Sequence, residues 1–290
     1  MTLKNEEGYL EMLEKTLKEG IKKETRNGIT YSSFGGFLRF DINDGTVFPL
    51  LTSKKIFFKG VVEELLWFLR GSVNSKELEE KGVNIWKGNS SREYLDLIGL
   101  YDYEEGYLGP IYGYQWRSFN GIIDQLKYIL EELSLKNSRR AVLSAWNPVQ
   151  LKEQALPPCH LIYNFYKQDD NNLSCMMYMR SSDLFLGLPF NIASTALLTM
   201  IIAKVMNMKA KEIVISMCDI HIYEEHLKQV NVQLELKDKI FKQPELKIKK
   251  DIDINITSID EKIKWIEELK YEDFELNNYI SHSNLKAIMK

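Results

Sequence analysis

Helical and strand-like segments alternate here without strict β-α-β order, which predicts an α/β protein of the mixed, α+β kind. Three observations point to it. Apolar residues recur at helical spacing in 7–23, 60–69 and 123–135; short runs suited to strands lie at 141–146, 161–166, 173–179 and 212–216; and no repeat, low-complexity tract or Pro/Gly/Ser-rich linker interrupts the 290 residues. One domain over 1–290 is therefore expected, with a twisted mixed sheet and flanking helices.

In order along the chain, Tyr9, Leu10, Leu13 and Leu17 make 7–23 a surface helix. Residues 29–42 read as paired strands broken at Gly35 and Gly36. GVVEELLWFL (60–69) is an apolar helix carrying Glu63, expected to look outward, and Glu64. The helix at 123–135 is amphipathic, and strands at 141–146 and 161–166 flank Cys159, with a third at 173–179. Residues 184–203 hold no charge, but Gly187, Pro189 and Asn191 interrupt them, so the continuous part from Ile192 is too short to span a bilayer and reads as a buried helix. A strand at 212–216 follows, then a charged tail after Lys228 with a helix at 259–269.

The formal charge of −3 comes from interspersed groups, which argues against a nucleic-acid polymer as partner but leaves room for a single nucleotide held by a few arginines. Cys159, Cys175 and Cys218 show no C-x-x-C pairing, which speaks against a disulfide framework or a thiolate zinc site and for a reducing, cytoplasmic location. The first 20 residues are charged and amphipathic, unlike a signal peptide. No membrane association is expected.

The chemistry-bearing segments are few. In ALPPCH (155–160) two prolines fix the chain before Cys159 and His160 follows it. A nucleophilic thiol needs a setting that lowers its pKa, and Arg139, Arg140 and Arg180 are available cations. Alone, the motif fits an inert turn cysteine better. Arg180 and Ser181 offer a guanidinium fork and a hydroxyl suited to phosphate. Asn191 opens an apolar helix, where it could cap the helix or match the N3–H and O4 edge of a uracil. Glu64, inside an apolar helix, either exchanges protons near neutrality or faces solvent. DIHIY (219–223) alternates polar and apolar residues like a half-buried strand. Its Asp219 and His221 lack further partners for a metal, and none is expected. His226 and His282 read as surface or cap residues.

These segments resemble the thymidylate synthase family from about residue 24 to 282. The matches are FPLLTSKK (48–55), VVEELLWFLRGS (61–72), LGPIYGYQWR (108–117), SRRAVLSAWNP (138–148), ALPPCH (155–160), RSSDLFLGLPFNIAS (180–194) and DIHIY (219–223), in the family's order. IWKGNSSREYLD (85–96) is similar to the eukaryotic and large-DNA-virus branch.

The resemblance implies a homodimer whose sheets pack together, and reductive methylation of dUMP to dTMP with 5,10-methylenetetrahydrofolate as co-substrate and dihydrofolate as by-product. Cys159 would add to pyrimidine C6; Glu64 would handle protons through water near O4; Tyr112 would help the C5 proton leave, and His160 would join their network. Asn191 would read the uracil. Arg26, Arg180 and Ser181 would hold the phosphate, joined by Arg139 and Arg140 from the partner subunit, while His221 and Tyr223 would bind the 3′-hydroxyl. Asp183 would meet the pterin, with Ile85, Trp86, Asn89, Leu186 and Phe190 lining the folate pocket.

Departures from the family pattern stand at Met179, Cys218, Ile220, Thr195, Lys87 and around Arg26, and the chain closes on Ile288, Met289 and Lys290 where the family has a hydrophobic residue whose carboxylate helps shut the site. A looser lid would let water compete with hydride. Two alternatives follow: a hydroxymethylase acting on dUMP or, less in keeping with Asn191, on dCMP; and a catalytically weakened nucleotide-binding dimer.

Overall fold

A computed structural model describes residues 5–253 and 255–289. Its centre is a six-stranded sheet in the order β1-β2-β6-β5-β4-β3. The strands are β1 (Ile21–Thr25), β2 (Gly28–Asp41), β3 (Val142–Ser144), β4 (His160–Lys167), β5 (Asn172–Asp183) and β6 (Lys209–Tyr223); β7 (Glu245–Ile248) and β8 (Phe274–Asn277) form a separate pair. The helices are α1 (Asn5–Glu19), α2 (Phe58–Leu69), α3 (Lys76–Glu79), α4 (Arg92–Leu97), α5 (Tyr112–Ser118), α6 (Gln125–Ser134), α7 (Gly187–Val205), α8 (Leu227–Leu234) and α9 (Ile259–Glu267). The mixed α/β class is as the sequence predicts.

Within the large sheet β5 and β6 run parallel, whereas the other pairs are antiparallel. Parallel neighbours need a long crossover, and α7 supplies it. This helix is apolar on every side and enclosed almost throughout, with Ile192, Leu197, Leu198, Ile201 and Ile202 fully buried. Each such side chain contributes about 1.5–3 kcal/mol by leaving water. By length and composition α7 could cross a bilayer, but 83% of its apolar window is covered by the rest of the fold.

Several boundaries differ from the sequence expectation. The first helix stops at Glu19, and residues 21–25 leave it to pair with Ser32–Gly28 as β1; sheet pairing overrides the helical spacing. It is a surface helix as expected, burying Tyr9, Leu10 and Leu13 on one face and exposing Glu7, Glu11 and Lys15 on the other. Residues 29–42 form one strand rather than two: Gly35, at φ +77°, bends β2 without ending it. Helix α7 begins at Gly187, five residues before Ile192, because Pro189 lies in the first turn, where a missing N–H breaks no helical bond. The 212–216 and 219–223 segments are a single strand, β6. Lys290, on which the expectation of an altered lid rests, lies outside the described residues.

One face of the sheet carries α1 and α7. On the other, Phe37, Tyr178 and Ile162 stand in one row across β2, β5 and β4, and Met176 and Tyr166 sit nearby, all exposed.

Candidate active site

The sequence Pro157-Pro158 brings the chain to the head of β4 with two residues that lack N–H groups, and Cys159 is then fixed at both of its own peptide groups. Its amide donates to the Tyr112 hydroxyl at 2.7 Å, and its carbonyl accepts the Arg180 amide at 3.0 Å. The Arg180 guanidinium folds back over the same loop: Nε donates to Pro158 O at 2.8 Å, and Nη2 to Pro157 O at 3.0 Å and to the Cys159 Sγ at 3.8 Å. Burial nevertheless pushes the Cys159 thiol up; Arg180 opposes this, Asp183 adds to it and Arg26 opposes it. The sequence pattern calls for a lowered thiol pKa. Within one chain, desolvation outweighs the two arginines.

Behind the cysteine the polar groups form a chain. Tyr112, first residue of α5, stacks on His160 with ring centroids 4.1 Å apart, and His160 Nδ1 is hydrogen-bonded to the Tyr163 hydroxyl at 2.9 Å. Burial drives the His160 pKa down to about 3, so the ring is neutral, and pushes the Tyr112 hydroxyl well above its ordinary range. Tyr112 also packs against Trp86, whose indole Nε1 donates to Glu64 Oε1 at 2.8 Å. Burial raises Glu64 to about 7, the Trp86 bond pulling the other way. Glu64 is thus turned in towards Trp86 rather than out to solvent. Glu63, expected to point outward, is instead buried and ion-paired to Lys81 at 2.7 Å.

In-register pairing of β5 with β6 sets Ser181 beside Asp219 and Asp183 beside His221. His221 Nδ1 meets Asp219 Oδ1 at 2.8 Å, and the Ser32 hydroxyl donates to Asp219 Oδ2 at 3.1 Å. The bond to His221 is the main cause that holds the Asp219 carboxyl below its usual range. It also fixes the imidazole tautomer, leaving Nε2 for a ligand. Tyr223 sits edge-on to His221 at 5.2 Å and hydrogen-bonds Asn27 in the β1–β2 turn, the turn that also holds Arg26.

Asp183 Oδ1 accepts the amides of Phe185 and Leu186 at 2.9 and 3.3 Å, bracing the turn that leads into α7. Asn191 is in the second turn of that helix rather than at its cap, and its side-chain amide has no hydrogen-bond partner among the described residues. Gly187 lies between the two: a Cβ there would stand 3.7 Å from Asp183 Cβ and 3.8 Å from Asn191 Oδ1. Leu186 and Phe190 are half-buried, Phe190 close to Phe57 and Gly60, while Ile85 and Asn89 flank the buried Trp86 at half exposure.

Arg139 and Arg140 are not brought to this site. Both are exposed ahead of β3, Arg140 Nε lying 3.5 Å from Glu132. The neighbouring Ala141 bonds to Phe165, six residues along the chain from Cys159, roughly 20 Å at the rise of a strand. Among the described residues no cluster of three or more His, Cys, Asp or Glu side chains could hold a metal ion.

Sequence reasoning misses three groups around the site. Lys54 is buried, donates to Phe185 O and lies 3.7 Å from the Phe185 ring centroid; burial takes its pKa down to about 7, with Asp183 opposing. Tyr163 reads in the sequence only as part of a strand. His226, expected to be a surface or cap residue, is fully buried between Phe185 and Tyr223. Nothing in the string separates Lys54 from Lys55 or His226 from His282.

The family model described as "Thymidylate synthase" matches residues 7–290. Over 98% of its length the chain is 47% identical to a bifunctional dihydrofolate reductase-thymidylate synthase of Paramecium tetraurelia, covering 61% of that protein. It is 40% identical to the thymidylate synthase of Homo sapiens over 97% of this chain and 89% of the human one, and 41% identical to that of Saccharomyces cerevisiae over 99% and 97%. The chain thus spans little more than half the length of the bifunctional relatives it matches.

Proposed function

Because the chain belongs to the thymidylate synthase family, we propose that it converts dUMP to dTMP by reductive methylation, with Cys159 as nucleophile. The observation that carries this reading is the Cys159 sulfur, 3.8 Å from Arg180 and backed by Tyr112, His160 and Glu64 in one hydrogen-bonded and stacked array.

The Cys159 thiolate forms the S–C6 bond, and the displaced C5–C6 electron pair is accommodated at O4. Arg180 and Arg26 are the cations that favour the thiolate against its burial, and with the Ser181 hydroxyl they take the nucleotide's phosphate. Glu64, poised near neutrality, gives and takes protons through water at O4. Tyr112 keeps its own proton, and its hydroxyl helps the C5 proton leave to water. A neutral His160 adds polarity without a competing charge. The unpartnered Asn191 amide reads the uracil edge, and His221 Nε2 with the Tyr223 hydroxyl binds the 3′-hydroxyl.

Methylenetetrahydrofolate supplies the one-carbon unit and the hydride. The residues present suit it: Leu186, Phe190, Trp86 and Ile85 offer apolar surface, Asn89 an amide, and Asp183 a carboxylate oxygen for pterin N–H groups, in a space that Gly187 leaves open. We further propose a homodimer closed over the exposed Phe37, Tyr178, Ile162 and Met176 face, which would deliver Arg139 and Arg140 to the partner's phosphate site. The continuous core from Tyr9 to Phe274 supports a single domain over 1–290, and three unpaired cysteines suit the cytoplasm.

Incubation with C5-tritiated dUMP and methylenetetrahydrofolate tests the assignment. Tritium release matched by dihydrofolate formation supports the synthase, and both signals vanish in Cys159→Ser. Tritium release without dihydrofolate would make the enzyme a hydroxymethylase, and neither signal would leave a nucleotide-binding dimer.

A further inference from the structure

Helix α8 and the 3-10 turn before it face the last described segment of the chain. His226 Nε2 is 2.8 Å from Ile288 O, and Gln229 Nε2 donates to Lys286 O at 3.0 Å. The two side chains are three residues apart, on one helical face, and the two carbonyls two residues apart, on one edge of an extended chain. The spacings match, at about 5–7 Å each. Ala287, between these bonds, and Leu285, just before them, pack on the core, while Ile288 and Met289 are 71% and 55% exposed. A carbonyl can only accept, so His226 is a donor at Nε2, and its Nδ1 has no partner among the described residues. The same imidazole lies 5.5 Å from the rings of both Phe185 and Tyr223. Phe185 follows the Asp183 turn and carries the carbonyl held by Lys54; Tyr223 sits at the sugar end of the site.

We propose that His226 and Gln229 form a latch that holds 285–289 through its main-chain carbonyls, with His226 a positioning residue that couples this segment to the Phe185 and Tyr223 walls and so keeps water out during hydride transfer. This rests on the synthase reading above. Because the latch grips backbone, it works whatever side chains the segment carries, and it tolerates the altered residues at 288 and 289.

The test compares wild type, His226→Gln, which keeps a donor at the Nε2 position, His226→Leu, which does not, and Gln229→Met on the half-exposed face of α8. One readout is the ratio of tritium released to dihydrofolate formed; water capture at the exocyclic methylene yields hydroxymethyl-dUMP and unoxidised tetrahydrofolate, raising that ratio. The other, independent of turnover, is tryptic cleavage after Lys286, followed by mass. We expect His226→Leu to raise the ratio at least threefold and to speed cleavage at least fivefold, Gln229→Met to speed cleavage by a smaller factor, and His226→Gln to restore wild-type behaviour in both. Unchanged ratio and cleavage in a folded His226→Leu would overturn the latch, as would equal defects in His226→Leu and His226→Gln. If His226→Leu does not fold, wild-type cleavage kinetics in Gln229→Met overturn it instead. An inactive wild type would remove the synthase reading, leaving the cleavage result to decide the latch alone.

Discussion

Replacing Glu64 by glutamine removes a titration that burial has displaced from an ordinary 4.5 to about 7. Between those values the folded protein keeps a proton that the unfolded chain has released, so the wild-type protein loses stability as pH rises through that window. At about 1.4 kcal/mol per pH unit the cost is about 1.5 kcal/mol near pH 5.5 and about 3.5 kcal/mol near pH 8.5. Glutamine cannot ionise, and its carbonyl can still accept the Trp86 indole N–H. Relative to wild type, Glu64→Gln should therefore gain about 2 kcal/mol of stability between about pH 5.5 and 8.5, while tritium release falls at least about a hundredfold. Urea unfolding at both pH values and one fixed protein concentration measures the difference, since a dimer's apparent stability depends on concentration. A wild-type-to-variant difference equal at the two pH values would show that Glu64 is not a desolvated acid, and its role in proton exchange at O4 would lose its physical basis.

Two further outcomes follow from the geometry. Asn191→Asp replaces the donor and acceptor pair that matches uracil with one that matches cytosine when protonated, so the ratio of kcat/KM for dUMP over dCMP should drop at least about tenfold; an unchanged ratio would take base reading away from Asn191. Arg139→Glu combined with Arg140→Glu should abolish activity, as should Cys159→Ser, yet mixing the two inactive proteins after gentle dissociation should recover up to about one quarter of wild-type activity, because half the dimers are mixed and each has one intact site. No recovery in mixtures that do exchange subunits would place the arginines outside the partner's site.

The class of fold was legible because the helices at 60–69 and 123–135 and the strands around Cys159 announce themselves by apolar spacing. What misled was local pattern overruled by distant pairing: residues 21–25 extend a helical rhythm but are captured by β2, and the Gly35 bend reads as a break although both sides keep their partners in β6. Within the site, Cys159, His160, Arg180 and Asn191 could be named from motifs, but not weighed. Whether Glu63 or Glu64 turns inward depends on Lys81 and Trp86, about 20 residues away and on other elements, and both acids are in fact covered to some degree. Lys54 and His226 owe their character to burial under Phe185 and the 285–289 segment, a tertiary fact with no trace in their neighbours. The raised Cys159 thiol is of the same kind, since it reflects how much water the fold removes against how closely Arg180 approaches.

Arg180 has committed Nε and Nη2 to the carbonyls of Pro158 and Pro157, leaving Nη1 for an incoming phosphate. On the proposed synthase reading, the anchor for one end of the nucleotide and the mount for the attacking sulfur would be a single mechanical part. Any displacement of the guanidinium drags the cysteine loop with it, so affinity and attack angle cannot be tuned separately at this position. A population of variants there should scatter along one diagonal, KM rising as kcat falls, rather than fill the plane.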